Sequence, residues 1–216
     1  MLGGLCVNQT TKGSKGTLQT NYNANSLRLF KHVWADASPA GIRDAAIIAL
    51  AWSTGLRRDE ISRIELYELV NKTEDGLDIA IVGKGGKVRA VYVNDGTYAA
   101  ILDWLELRGN EPGNLFTDVN KGGKIGAGKL SGEALRKMLD KRSKEAQLSK
   151  PITWHDFRRT FAGNLWDAKI DGSIIQKLMG HASQNQTSKY DRRPEATRRR
   201  AVSAIPTRSR ARFRNS

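Results

Sequence analysis

His155 and Arg158 stand three residues apart in the run HDFRRTF. His181 closes the run IIQKLMGH, and Tyr190 follows nine residues later in TSKYDR. On a helix, an i, i+3 spacing puts two side chains on one face, so His155 and Arg158 can address one reacting group. Attack on a phosphodiester without a metal needs a nucleophile, cations fixed on the non-bridging oxygens, and an acid for the leaving oxygen. Arginine suits the second place because its planar fork stays charged and binds phosphate oxygens in pairs. Singly, these residues say little. A lone helical histidine is commonly structural, and one tyrosine among five has no claim to be a nucleophile. The combination is what points to phosphoryl chemistry.

The composition names a partner for that chemistry. Lys and Arg number 36 against 22 Asp and Glu, a net charge of +14 over 216 residues. Such an excess calls for a polyanion, either nucleic acid or an anionic membrane surface. The apolar run Ala45–Trp52 falls far short of the roughly 20 residues a membrane span needs. The opening residues MLGGLCVNQTTKGSKG turn polar at once, unlike a signal peptide. No amphipathic basic anchor stands out, so nucleic acid is the expected partner, with no membrane role. Cys6 is the only cysteine, which rules out an internal disulfide and suits a reducing compartment. The expected location is the cytoplasm, at the nucleoid. Half of the positive excess, +7, lies in the last 26 residues.

The elements that must position these groups are mostly helices. Residues 1–24 read as a flexible, polar lead-in, and a helix is predicted over Ser26–Asp36. Ser38-Pro39 then looks like an N-cap followed by proline at the first helical position. The next helix carries DAAIIALAW, apolar on every face, which marks the buried centre. It ends at Thr54-Gly55, and a short helix begins near Arg57. LDIAIV and VRAVYV are strand-like runs flanking Gly83-Lys84-Gly85-Gly86-Lys87, a hairpin signal. A helix over Asp95–Arg108 follows. Gly109–Leu130 reads as an exposed Gly-rich loop with a short strand at Leu115-Phe116. Further helices are predicted over Ser131–Gln147, His155–Ala168, Ser173–Met179 and Pro194–Ile205. Thr153 with Asp156 fits a capping box, which places His155 in the first turn of its helix. Residues 206–216 read as a basic tail. The expected fold class is mainly α with a small antiparallel β-sheet.

From about Ser38 to Ile205 the chain resembles the catalytic domain of the tyrosine recombinases, which include phage integrases and the Xer resolvases. TGLRRDEI resembles the first arginine box of that family and assigns Arg57. IVGKGGKVRAVYV resembles its lysine hairpin and assigns Lys84, with Lys87 and Arg89 as competitors. HDFRRTFA supplies His155 and Arg158, LMGH supplies His181, and the step to Tyr190 within a short helix-forming segment matches the nucleophile's place. The resemblance implies that Tyr190 attacks the scissile phosphate, leaving a 3′-phosphotyrosine and a free 5′-hydroxyl. A tyrosine hydroxyl ordinarily titrates near 10, so it needs a base, and His155 is the candidate. Arg57 and Arg158 would hold the non-bridging oxygens, His181 would donate to the phosphate, and Lys84 would protonate the leaving oxygen. Glu60 would brace Arg57. Neither metal nor other cofactor is implied.

Arg58 and Arg159 sit about 100° around their helices from the assigned arginines, and are read as surface or DNA-backbone contacts. Arg198, Arg199 and Arg200 suit phosphate or a neighbouring subunit. The helix over 194–205 presents Ala201, Val202 and Ile205 on one side, which the resemblance links to docking between subunits in a tetrameric synapse on DNA. Two other functions fit much of this pattern: a type IB topoisomerase, and a DNA-binding module with an idle site. The family's usual N-terminal DNA-clamping domain, on the order of 100 residues, has no counterpart in this sequence, and weak, salt-sensitive DNA binding is expected. GKIGAGKL at 123–130 nearly spells a P-loop, but Leu130 stands where a magnesium-binding hydroxyl belongs. His32, His155 and His181 lie too far apart in sequence to suggest zinc. The tryptophans fall on helices and are read as core.

Overall fold

Ser38 begins the helix around which the rest is packed. Its hydroxyl accepts from the Gly41 N–H at 3.1 Å, and Pro39 occupies the first turn, where a missing N–H costs nothing. A computed structural model describes residues 24–73, 76–83, 86, 88–181 and 184–191. The sequence readings for the lead-in before residue 24, for Lys84 and Lys87, for the 194–205 helix with Arg198, Arg199 and Arg200, and for the 206–216 tail lie outside the described residues.

In chain order the elements are α1 (Ala24–Ala35), α2 (Pro39–Thr54), α3 (Arg58–Ile61), a 3-10 turn at Leu66–Glu68, β1 (Leu69–Val70), β2 (Gly76–Val82), β3 (Val88–Asn94), α4 (Asp95–Arg108), β4 (Thr117–Val119), β5 (Ile125–Lys129), α5 (Gly132–Glu145), α6 (Trp154–Asp167), α7 (Gly172–Met179) and α8 (Gln184–Ser188). Along α2, Ala46 to Ala51 are buried on every face, as its composition requires. Helices α1, α4 and α6 pack around it. The antiparallel sheet runs β1-β2-β3, with Ile79 opposite Val91 and Ile81 opposite Arg89. Period-two alternation turns Leu77, Ile79, Ile81, Val91 and Val93 inward. The fold is mainly α with small antiparallel sheets, as read from sequence.

Gly109–Leu130 departs from the exposed loop expected there. Leu115 and Phe116 are buried but are not themselves a strand; Thr117–Val119 and Ile125–Lys129 form a second hairpin. Trp104 Nε1 donates to Leu115 O at 2.8 Å and ties this segment to the core. Alternation is short there and glycine-rich, so periodicity could not reveal it. The P-loop look-alike is thus largely a strand, and Asp118 stands against Gly126 and Gly128, where a phosphate would be repelled. Among the tryptophans, Trp34 departs from the core reading: it is 51% exposed, tilted against Phe30. His32 pairs with Glu145 at the surface, 3.1 Å away. Among the described residues no helix is long and apolar enough to cross a membrane.

A buried charge network, invisible to hydropathy, clamps α1, α2 and α5. Asp44 takes Arg43 Nη2 at 2.7 Å and Arg142 Nε at 2.8 Å, and Arg142 reaches Asp36 at 2.8 Å. Removing one member strands a charge in a low-dielectric interior. Asp44→Ala is therefore expected to cost about 3–5 kcal/mol in urea unfolding. A loss within ~0.5 kcal/mol, as for an ordinary surface change, would contradict that account.

Candidate active site

Two helix ends and their glycines build the site. Helix α2 stops at Gly55, whose φ of +60° is left-handed. A Cβ there would lie 2.6 Å from the Phe161 ring, so α6 approaches too closely for any other residue. Helix α7 stops in the same way at Gly180, with φ +59°. The carbonyls that these endings expose are bridged by Arg158, on α6. Its Nη1 donates to Gly55 O at 2.6 Å, and its Nη2 donates to Met179 O. Arg158 is only 6% exposed. Among the described residues no carboxylate pairs with it, so its charge is held by neutral carbonyls. Burial, then repulsion from Arg57, lowers its pKa to about 10, which still leaves it charged at neutral pH.

Arg57 stands just before α3 and remains largely open to solvent. Its Nη1 donates to Glu60 Oε1 at 3.0 Å and its Nη2 to Gly180 O at 3.4 Å, while its own N–H donates to Glu60 Oε2 at 2.8 Å. The brace expected of Glu60 is thus present in the geometry. His181 follows Gly180 directly, and its Nδ1 lies 2.9 Å from the Thr187 hydroxyl. Burial and then the charges of Arg158, Arg57 and Arg89 push its pKa down to about 4, so the imidazole is neutral near pH 7. Its ring stacks on Tyr190 at 5.8 Å and 17°. His155, exposed in the first turn of α6 behind the Thr153–Asp156 capping box, holds its ring 6.2 Å from that of Tyr190. Tyr190 lies two residues past α8, in a turn rather than in the helix-forming segment expected, and packs against the cluster of Ala162, Trp166, Ile175 and Met179.

The structure therefore brings together Arg57, Glu60, His155, Arg158, His181 and Tyr190. An open groove beside them is lined by Arg57, Glu60, Arg89, Gly180, His181 and Gln186. Two guanidinium groups, a neutral imidazole and a phenol gathered in one cluster can bind and attack a phosphodiester. Arg58 turns away from Arg57 toward Asp59, 3.6 Å distant, and Arg159 is exposed where Arg158 is buried. Both directions agree with the helical offset.

Two residues were given no such place from the sequence. Arg89 was weighed as a leaving-group acid but forks onto Glu60 instead, at 3.1 and 2.9 Å. The signal was available: Arg89, Val91 and Val93 share one strand face. Thr187 is fully buried and hydrogen-bonds His181. Which imidazole nitrogen carries the proton is governed by the partner of the other. Thr187→Val is expected to remove the bond that orients the His181 ring and so to change the nitrogen-15 shifts of that imidazole, while Thr187→Ser keeps them. Equal His181 imidazole shifts in all three proteins would contradict this.

Comparison with known proteins places the arrangement. The phage integrase family profile matches residues 22–196. Tyrosine recombinase XerC of Chromohalobacter salexigens is 32% identical over 161 residues, covering 73% of this chain and 50% of that protein. Tyrosine recombinase XerA of Pyrococcus furiosus is 31% identical over 151 residues, 70% of this chain and 50% of that one. The chain spans about half the length of the curated relatives it matches. Among solved structures, XerH recombinase bound to its difH substrate superposes with a TM-score of 0.68 at 23% identity, over 88% of this chain and 55% of that one. The XerA recombinase crystal structure gives 0.64 at 23%, over 87% and 65%.

Proposed function

The chain belongs to the phage integrase family of tyrosine recombinases, and on that premise we propose that it breaks and rejoins DNA through a covalent bond between Tyr190 and a 3′-phosphate. The observation that carries this reading is Arg158, a buried guanidinium held by carbonyls and clustered with Arg57, His181 and Tyr190. A monoanionic phosphodiester supplies the missing counter-charge.

In the proposed reaction the Tyr190 oxygen attacks phosphorus as its proton passes to His155. Arg57 and Arg158 hold the two non-bridging oxygens, and neutral His181 donates a hydrogen bond to one of them. The bond to the 5′-oxygen breaks, that oxygen takes a proton from Lys84, and the 5′-hydroxyl leaves. Reversal by a second 5′-hydroxyl reseals the strand. One phosphodiester is exchanged for another at each step, so the scheme calls for neither ATP nor a metal. Double-stranded DNA is the partner, and residues 25–205 are the catalytic domain. Strand exchange takes place within a tetramer joined through residues 194–205, with the protein at the nucleoid.

The test uses a pool of nicked duplexes with randomised sequence, in which the cut strand diffuses away and traps the intermediate. A denaturation-resistant protein–DNA adduct is expected, enriched for one sequence. DNA binding with no adduct would favour an idle binding module. Relaxation of supercoiled plasmid of arbitrary sequence would favour a topoisomerase.

A further inference from the structure

Glu60 poses an electrostatic difficulty for the clamp it braces. A buried carboxylate one turn from Arg57 cancels the charge that should meet the phosphate and competes with it for the guanidinium. The structure answers with Arg89. Its side chain is 14% exposed and comes from β3, on the strand face of Val91 and Val93. Both carboxylate oxygens of Glu60 are taken by its fork, so Glu60 accepts two bonds from Arg57 and two from Arg89.

The same guanidinium lies against Gly180. A Cβ at that position would sit 2.8 Å from Arg89 Cζ and 2.9 Å from Nη1. Gly180 separates Met179, whose carbonyl holds Arg158, from His181, and its own carbonyl accepts from Arg57. Arg89 thus touches the brace and the loop that hold Arg57 and Arg158. Its Nη groups are committed, and its Nε is buried without a partner among the described residues, so it is not placed to reach substrate or serve as an acid.

We propose that Arg89 is a positioning residue of the phosphate clamp: it occupies Glu60, which frees the charge of Arg57 for the substrate, and it docks the β2–β3 hairpin on the Gly180 turn. The inference rests on the reading of this groove as a phosphodiester site. With Arg89, the Arg57–Glu60–Arg89 group carries a net +1. Without it the group is neutral, and Glu60 draws Arg57 away.

Single-turnover cleavage of the duplex captured from the randomised pool tests this. At saturating DNA, Arg89→Gln is expected to lower the cleavage rate by about 10²-fold, the cost of a misplaced catalytic group, with a smaller change in DNA affinity. Arg89→Lys keeps the charge and loses the fork, and should fall by about tenfold. Adding Glu60→Gln to Arg89→Gln should recover rate, because the competing carboxylate is gone. A residue that merely stabilises the fold gives no such recovery. Parental rates in both Arg89 variants, or a further loss in the double variant, overturn the proposal.

A second measurement needs no DNA. Burial pushes the Glu60 carboxyl up, but the Arg89 and Arg57 hydrogen bonds and charges hold it below the usual range. Carbon NMR titration should show its midpoint rise in Arg89→Gln, and an unchanged midpoint contradicts the hold on Glu60. If the parent protein forms no adduct, the reading of the groove fails, while this titration still decides what Arg89 holds.

Discussion

Tyr190→Phe is expected to abolish the covalent adduct and to leave DNA binding as it was. The substitution removes one oxygen and keeps the ring that stacks on His181 and packs against Trp166, Ile175 and Met179. Folding and phosphate contacts therefore stay in place. Loss of a nucleophile takes the rate down by about 10⁶-fold, to the floor of a gel assay. Adduct in the Phe variant at even a hundredth of the parental level would show that another residue attacks.

The second large effect falls on Arg158. Arg158→Met is expected to slow cleavage by about 10³-fold, the upper range for a lost oxyanion donor. Arg158→Lys does little better, since an ammonium cannot fork between Gly55 O and Met179 O and still face the phosphate. Fold stability should change far less than the rate. The parental guanidinium is desolvated with no carboxylate partner among the described residues, so its removal relieves a burial cost while losing two hydrogen bonds. That separation marks a residue held for an absent anion. Unfolding in urea beside single-turnover cleavage would measure both, and a variant that loses stability but cleaves at parental rate would refute the assignment.

The helices around the site were legible because each carries its own punctuation. Ser38-Pro39, Thr153 with Asp156, and glycines 55 and 180 mark starts and stops at positions where backbone N–H and C=O groups need partners. The β2–β3 hairpin was legible from two strand-like runs on either side of a glycine-rich turn. What stayed hidden depends on contacts that neither spacing nor periodicity announces. The second hairpin is too short and glycine-rich for a period to emerge. The Asp44–Arg142 ion pair joins residues far apart in sequence. Arg89 looked like an alternative acid because a sequence gives a strand face but not the carboxylate opposite it. Thr187 had no local signal at all; only the fold brings its hydroxyl to His181. The convergence of Arg57, His155, Arg158, His181 and Tyr190 could be anticipated by resemblance, whereas, apart from the Glu60 brace, the hydrogen bonds that orient them could not.

The most direct test of the account is to identify the atom that holds the DNA. The adduct formed on the captured nicked duplex is digested with nuclease and protease, and the linked peptide is sequenced by mass spectrometry. The expected product is a peptide bearing a 3′-phosphonucleotide on the Tyr190 oxygen, with a free 5′-hydroxyl on the released strand. A link to any other residue, or a 5′-phosphate on the protein, would contradict it.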